Sequence, residues 1–401
     1  MASVLEKISV IELSHGIPGS FASKLLADFG ASVIKVETPL HGDPLRRVGP
    51  FLHDLPGPDR SGVFLYLNTN KRGITLNVQS PTGAEMLKRL VRRADVFIES
   101  TSPGTLEPLG LGDDGLRTLN PRLVTVSVTP FGQTGPYRDY KLCDIAAYNV
   151  GGLSMVMPNP EGPQYAPLKA GGRLADMIAG INAANFAMAG LLTRRMTGEG
   201  THVDVAEYET SIENMSRFLT QYSMDNEIPT WPREAFFAAG EAEPCNDGYA
   251  FLFFAPEHLF SRLARLIGKK EWADDPDYVV QHRRRAHWPE IETAIQAWTK
   301  DKTKYEVMHT AQAAGVPCAA VNTIADIESN AHVRARNILV EKDHPVVGPL
   351  RYPTGPFKLP ATPYSLRRPA PMLGQHNDEV FCGELGYSRV ELVKLRQAGI
   401  I

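Results

Sequence analysis

Between residues 171 and 200 the chain reads GGRLADMIAGINAANFAMAGLLTRRMTGEG, and Asp176 stands alone at the mouth of an apolar, small-residue run. No charged residue follows from Met177 to Leu192; then come Arg194, Arg195 and a Gly-rich stop. Two chemistries fit a lone acid in that place. An Asp side chain caps a helix by accepting from the unpaired amides of its first turn. A carboxylate is also a nucleophile, and a strong one only where it has lost the hydration that makes it sluggish in water. These residues alone leave both readings open.

The other reactive side chains form no rival constellation. His15, His41, His53, His202, His258, His282, His287, His309, His332, His344 and His376 are scattered, with no HExxH or paired ligand spacing. A metal site is therefore not expected. The sequence holds neither a GxSxG nucleophile elbow nor a GxxxxGK[ST] phosphate loop. The four cysteines, Cys143, Cys245, Cys318 and Cys382, lie far apart without a CxxC pair. That spacing argues against a zinc ribbon or disulfide framework and fits a reducing compartment. The basic stretch Asn70-Lys71-Arg72 reads either as a solvated turn or as a contact for a substrate phosphate.

The elements that must position Asp176 are legible as a βα alternation. ISVIELS (8–14) is a short run rich in β-branched residues, and the helical spacing of Phe21, Leu25, Leu26 and Phe29 stops at Gly30. ASVIKVE then returns to strand composition, which makes a βαβ unit and implies a parallel sheet. Gly16 and Gly19 alone do not make a GxGxxG fingerprint, so a dinucleotide read by Glu37 is not expected. The helix start after HGIPG still offers free amides to an anion. Strands at 73–78, DVFIES, 122–132 and THVDVAEYE continue the sheet, with helices at 82–94 and 177–196 between them. The expected organisation is a large domain of residues 1–222 with 328–401, a linker at 223–244, and a small domain at 245–327.

Composition narrows the class. At 401 residues two domains are expected, and 43% hydrophobic with 22% charged residues is ordinary for a soluble globular chain. A net charge of −3 supplies no basic field for nucleic acid. Glu6 and Lys7 interrupt the N-terminus where a secretory peptide needs an apolar core, and the uncharged stretch 177–192 is short for a membrane span. A cytoplasmic protein without nucleic-acid or membrane partners is the expectation. The tail at 356–373 is too apolar to float and too Pro-rich to build its own element, so it is expected to wrap a foreign surface.

Several stretches, in order, resemble the class III CoA-transferases, a family that includes formyl-CoA and carnitine CoA-transferases and the 2-methylacyl-CoA racemases. They are GASVIKVETPLHGDPLRR, NTNKRGITLNV, PGTLEPLGLG, VTPFGQTGPY, the 173–209 segment, GVPCAAV and PAPMLGQHNDEVF. The resemblance implies a Rossmann-like large domain, a smaller α+β domain, and an interlocked homodimer, with the tail seated on the partner. It places the family's nucleophilic aspartate at Asp176. It also implies transfer of CoA between an acyl-CoA and a small carboxylic acid, with the CoA thioester as co-substrate and no permanently bound cofactor. His15, Ile17, Thr38, Lys71, Arg72, Leu76, Ser100 and Lys141 are the CoA-contacting positions it implies.

Departures from the family pattern carry information too. The racemase branch has a His before an Asp in a GHD turn, whereas this chain has Cys143 before Asp144, and a thiol is a poor stand-in for imidazole near neutral pH. Racemisation is therefore not expected. Thr38 and Pro108 stand where the formyl-CoA:oxalate branch has basic residues, and FFAAGEAEP lacks that branch's Gly-rich loop, so oxalate is a poor guess. An intramolecular CoA shift and a CoA-binding subunit paired with a paralogue are the remaining alternatives.

Overall fold

The structure, a computed structural model, describes residues 3–157, 159, 165–226, 228, 240–355 and 357–401. The chain divides into two units, one running to Ser154 and including Lys169–Ser223 and Arg334–Ile401, the other made of Met155–Leu168 and Met224–Val333. Met155–Leu168 and residues 328–333 fall in the second unit where the large domain is expected, and the second unit takes in the expected linker at 223–244 from Met224 on. Gly240–Cys245 is a strand of the second unit rather than a connection. Positions 227 and 229–239 of that linker lie outside the described residues.

In the first unit, β1 (Ser9–Leu13), β2 (Ser32–Glu37), β3 (Arg72–Thr75), β4 (Val96–Glu99), β5 (Val124–Thr129) and β6 (Thr201–Ala206) form one parallel sheet, ordered β3-β2-β1-β4-β5-β6. Every residue of β4 and β5 is buried, as strands covered on both faces must be. Neighbouring residues feed opposite cores. Val10, Val33, Val96 and Val124 face helices α1 (Ile17–Asp28) and α6 (Leu174–Thr197). Between β2 and β3 lies the short α2 (Gly62–Leu67). Ile11, Ile34, Phe97 and Ile74 face α3 (Pro81–Val91), α4 (Asp113–Leu119) and the C-terminal Val380, Phe381 and Leu392. The expected α/β class with a parallel sheet is what the chain forms.

This strand order reverses between β1 and β4, and in such sheets ligands bind outside the carboxyl ends at that reversal. Both Glu37 oxygens, at the end of β2, accept from Arg46, at 2.7 Å each.

α6 is long and apolar enough by composition to cross a membrane, yet it lies on the sheet through Ala183, Ala184, Ala187 and Leu191. Gly198, in the left-handed region at φ 87°, ends it. The helix leads directly into the start of β6, so its own start lies at the carboxyl edge of the sheet. Small residues let α1 and α6 approach closely. A Cβ on Gly180 would fall 2.8 Å from the Pro18 carbonyl oxygen and 3.0 Å from Phe21 Cβ.

Part of the tail at 356–373 rests on its own unit. Arg367 donates to the carbonyls of Ala27 (2.7 Å) and Gly30 (3.2 Å), and Asn70 receives the Arg367 amide at 2.7 Å. Arg46 reaches the Pro371 carbonyl at 3.0 Å, and Phe357 stacks on Phe29 with centroids 4.7 Å apart. Residue 356 is outside the described residues.

The second unit has a three-stranded antiparallel sheet, β7 (Gly240–Cys245), β8 (Gly248–Phe253) and β9 (Cys318–Ala320). Helices Glu257–Leu266, Trp288–Thr299 and Lys304–Ala313 supply Leu263, Ile291, Ile295 and Val307 to its core.

The α1–α6 contact yields a test with a clear sign. Gly to Ala inside an exposed helix stabilises by roughly 1 kcal/mol, whereas overpacking costs about 1–3 kcal/mol. Gly180→Ala is expected to lower the unfolding free energy in urea. A gain in stability would show that α1 and α6 are not in tight contact at that point.

Candidate functional site

Three short helix starts meet the carboxyl edge of the sheet, and each carries an acid in its first turn. α5 (Asp144–Val150) begins with Asp144, α6 carries Asp176 in its third position, and α7 (Glu207–Glu213) begins with Glu207. α7 starts directly where β6 ends, which fixes Glu207 at that edge.

The capping reading of Asp176 fails here. The N-cap of α6 is Arg173, and no side chain caps it. Asp176 instead spends its backbone amide on Asp144 Oδ1, at 3.3 Å. Among the described residues its own carboxylate oxygens receive no hydrogen bond, although the residue is only 7% exposed. A carboxylate that neither caps nor pairs has its lone pairs uncommitted.

Its surroundings make the charge costly. Ala147, Tyr148 and Ala175 are buried together, with Leu142, Leu153 and Ala170 against them. Burial, reinforced by the negative Asp144, pushes the Asp176 carboxyl up to about 6, while Arg173 and Lys169 pull the other way. Lys169 Nζ pairs with Asp144 Oδ2 at 2.8 Å and also donates to the carbonyls of Ala170 and Gly172. That lysine fastens the strap entering α6 to the start of α5. Burial, then Asp176, then Asp144 push Glu207 up to about 7.

The expected CoA contacts divide into two groups. His15 and Ser100 follow β1 and β4, on either side of the strand-order reversal. The His15 amide donates to Ser100 Oγ at 2.8 Å, and that hydroxyl donates to the His15 carbonyl at 3.2 Å. Ile17, buried, opens α1 beside Pro18, whose carbonyl meets Gly180 one turn along from Asp176. Thr38 and Lys141 are exposed, Thr38 just beyond β2 and Lys141 three residues before Asp144.

Lys71, Arg72 and Leu76 are placed elsewhere. Lys71 is wholly buried, and its ammonium is held by Glu12 (2.8 Å), the Ser20 carbonyl (2.8 Å) and Asn68 Oδ1 (2.8 Å). All three of its donors are spent, so it braces the core instead of meeting a phosphate. Arg72 begins β3, at the opposite edge of the sheet, and pairs with Glu379 and Glu384. Leu76 is 2% exposed and packs in the core. The Asn70-Lys71-Arg72 stretch is therefore not a solvated turn, and Lys71 and Arg72 have protein partners of their own.

Sequence reading missed Lys169 and Glu207 altogether and noted Asp144 only as the neighbour of Cys143. An acid opening a helix is ordinary, because the helix dipole favours it. Nothing local marks three such acids as neighbours.

Comparison with known proteins gives the family. Residues 5–377 match CoA-transferase family III. The chain belongs to that family. The chain is 34% identical over 400 residues to succinyl-CoA–D-citramalate CoA-transferase of Chloroflexus aurantiacus, covering 99% of this chain and 98% of that one. It is 34% identical over 422 residues to formyl-CoA:oxalate CoA-transferase of Streptomyces avermitilis, covering all of both. Among solved structures, a CaiB/BaiF family protein of Brucella suis superposes with a TM-score of 0.84 at 28% identity, covering 96% of this chain and 100% of that one. This member of family III is thus an enzyme of the CoA-transferring kind, with the mixed α/β fold of its relatives.

In this family III chain the raised carboxyl of Asp176 makes a stability prediction. A carboxyl that holds its proton more tightly when folded opposes folding once ionised. The penalty is absent below the unfolded value of 3.8, grows with rising pH, and is complete above the folded value of about 6. Asp176→Asn removes it. The variant is expected to be more stable than the natural protein by up to about 3 kcal/mol near pH 8 and equally stable near pH 4, by urea unfolding. Equal stability at both pH values would contradict the burial of an unpaired charge.

Proposed function

We propose that the protein is an acyl-CoA:carboxylate CoA-transferase in which Asp176 is the nucleophile. One observation carries the reading: a nine-tenths buried aspartate with its carboxylate oxygens uncommitted, at the carboxyl edge of a family III sheet. In the first step the Asp176 carboxylate attacks the thioester carbonyl. The C–S bond breaks, CoA leaves as thiolate, and an aspartyl mixed anhydride forms. The thiolate then attacks the Asp176 carbonyl, giving an enzyme-bound CoA thioester and releasing the donor acid. An incoming carboxylate runs the two steps in reverse and leaves as the new acyl-CoA.

No bond energy is lost to water in this sequence, so no separate energy source is needed. Water must be excluded, because it hydrolyses either intermediate. The apolar wall of Ala147, Tyr148 and Ala175 supports that exclusion. The His15–Ser100 pair at the strand reversal, with Ile17, Thr38 and Lys141, is the proposed seat of the CoA moiety. Racemisation is disfavoured by Cys143, an exposed thiol at the N-cap of α5 where the racemase pattern needs a base.

A homodimer is part of the proposal. Phe186, Leu192 and Met196 of α6 are 51%, 60% and 80% exposed, an unusual outward face for a helix whose other side is core. A second copy is the occupant the family resemblance implies.

The substrates are open to direct measurement. Acyl-CoA donors, succinyl-CoA first, are incubated with a carboxylic-acid library, and new thioesters are read by mass spectrometry. Light scattering on the same preparation reports the dimer. The expected result is ATP-independent transfer for at least one pair, reduced about a thousandfold or more in Asp176→Asn with the fold intact. Undiminished turnover in that variant would overturn the assignment, and a strict monomer would overturn the dimer.

A further inference from the structure

Successive side chains of β5 point to opposite faces of the sheet, and the face away from α6 carries a cavity that the chemistry at Asp176 does not use. Val124, Val126 and Val128 pack with Ala183 and Ala187 of α6. Thr125 and Ser127 point the other way and, with Leu116 of α4, line a cavity of about 220 Å³. That is small beside the pockets that take drug-sized ligands. The loop after β4 adds Ser102 and Gly104 to the lining, and the loop after β5 adds Gln133 and Arg138.

The polar groups of this cavity are of two kinds. Its acids are paired or solvated. Glu99 Oε2 accepts from the Thr101 amide at 2.7 Å and the Thr101 hydroxyl at 2.6 Å, and burial raises its carboxyl above the ordinary value. Asp113 faces His202 Nδ1 at 3.8 Å and Arg117 at 3.9 Å, while Ser127 Oγ lies 2.9 Å from His202 Nε2. Glu107 is exposed, where water screens its charge. The donors, by contrast, are unspent. Arg138 is half-buried and its Nε is fully enclosed, yet among the described residues its guanidinium makes no hydrogen bond or ion pair. Among the same residues the side chains of Gln133 and Ser102 have no hydrogen-bond partner either, although the Gln133 backbone amide is tied to Asp204 at 2.9 Å. Close packing sets the place of the guanidinium. A Cβ on Gly104, whose φ is 85°, would fall 3.2 Å from Arg138 Nη2.

We propose that this cavity binds a small oxyanion, a carboxylate or a phosphate, between the Arg138 guanidinium and the side chains of Gln133 and Ser102. A buried donor without a partner is costly, and more so when it is charged. The planar guanidinium fork matches the oxygens of a carboxylate or a phosphate, which supply both the acceptors and the opposite charge. The site is additional to the one at Asp176 and stands whether or not Asp176 is the nucleophile. Its occupant ties two loops together. One follows Ser100 at the end of β4, and the other runs from β5 to Lys141 and Asp144.

The test uses the whole protein labelled with 15N-arginine, the Arg138 Nε–H resonance being assigned by its loss in Arg138→Lys. Inorganic phosphate and succinate are titrated separately, with ionic strength held constant by sodium chloride. At least one of them is expected to move that resonance to saturation, and the one that does so identifies the oxyanion. The shift is expected to persist in Asp176→Asn, because the two sites lie apart. Ser102→Ala and Gln133→Ala leave Arg138 in place, and each is expected to weaken binding about three- to tenfold with the urea unfolding midpoint unchanged. The absence of a saturable shift with either anion overturns the proposal, and so does a shift that chloride alone reproduces. Reversal of the shift by stoichiometric CoA would assign the cavity to CoA and overturn it as an additional site. None of these readings depends on turnover, so the proposal fails separately from the CoA-transfer assignment.

Discussion

Three carboxylates at neighbouring helix starts, two of them buried, with one committed lysine set the terms for this site. Coulomb repulsion between them grows as water is removed, and only an imposed framework keeps them from separating. Asp144, Asp176 and Glu207 each begin or nearly begin a helix, so none can withdraw without unwinding its first turn. The sheet beneath fixes where those helices start. Among the described residues the Lys169 ion pair goes to Asp144 rather than to Asp176. Asp176 is thereby left with its amide engaged and its carboxylate free.

Rigidity of that framework comes from close packing and from buried polar ties. α6 lies against α1 at Gly180, where the Pro18 carbonyl and the Phe21 side chain leave no room for a Cβ. Beneath the β1 and β2 ends, Glu12 gathers Lys35 (2.7 Å), Lys71 (2.8 Å) and the hydroxyls of Ser14, Ser20 and Ser23. Lys35 also pairs with Asp43 at 2.8 Å, and Asp43 accepts from the amides of Leu45 and, more weakly, Gly16. Burial alone would lower the Lys35 ammonium, but Asp43, Glu12 and Glu37 outweigh it and hold it above its usual range. Breaking one member of such a network strands the others, which costs more than the network itself contributes. It therefore locks the loop carrying His15 and the start of α1 to the strands below.

Much of this was written in the sequence, and the omissions have physical causes. The βα alternation showed because strands buried on both faces are apolar and short, and the helices between them have helical spacing. The strand order did not show, since no local pattern says that β4 returns beside β1. Asp176 stood out because an uncharged run follows it. Glu207 and Lys169 did not, because an acid at a helix start and a lysine in a loop are ordinary until folding brings them together. Lys71 was misread for the opposite reason. Its neighbours in sequence look solvated, and only the tertiary partners Glu12, Ser20 and Asn68 bury it. The tail reads as a wrapping segment, but composition cannot say whose surface it wraps.

The central claim is that CoA passes through a covalent bond to Asp176, and oxygen isotopes test it most directly. Under the two-step exchange, one oxygen of the acceptor carboxylate is left on the enzyme when the new acyl-CoA departs. Turnover with 18O-labelled acceptor acid, followed by peptide mass spectrometry, should place 18O in the side chain of Asp176 and in no other residue. Label that appears in the product thioester after many turnovers, with none in Asp176, would contradict the account.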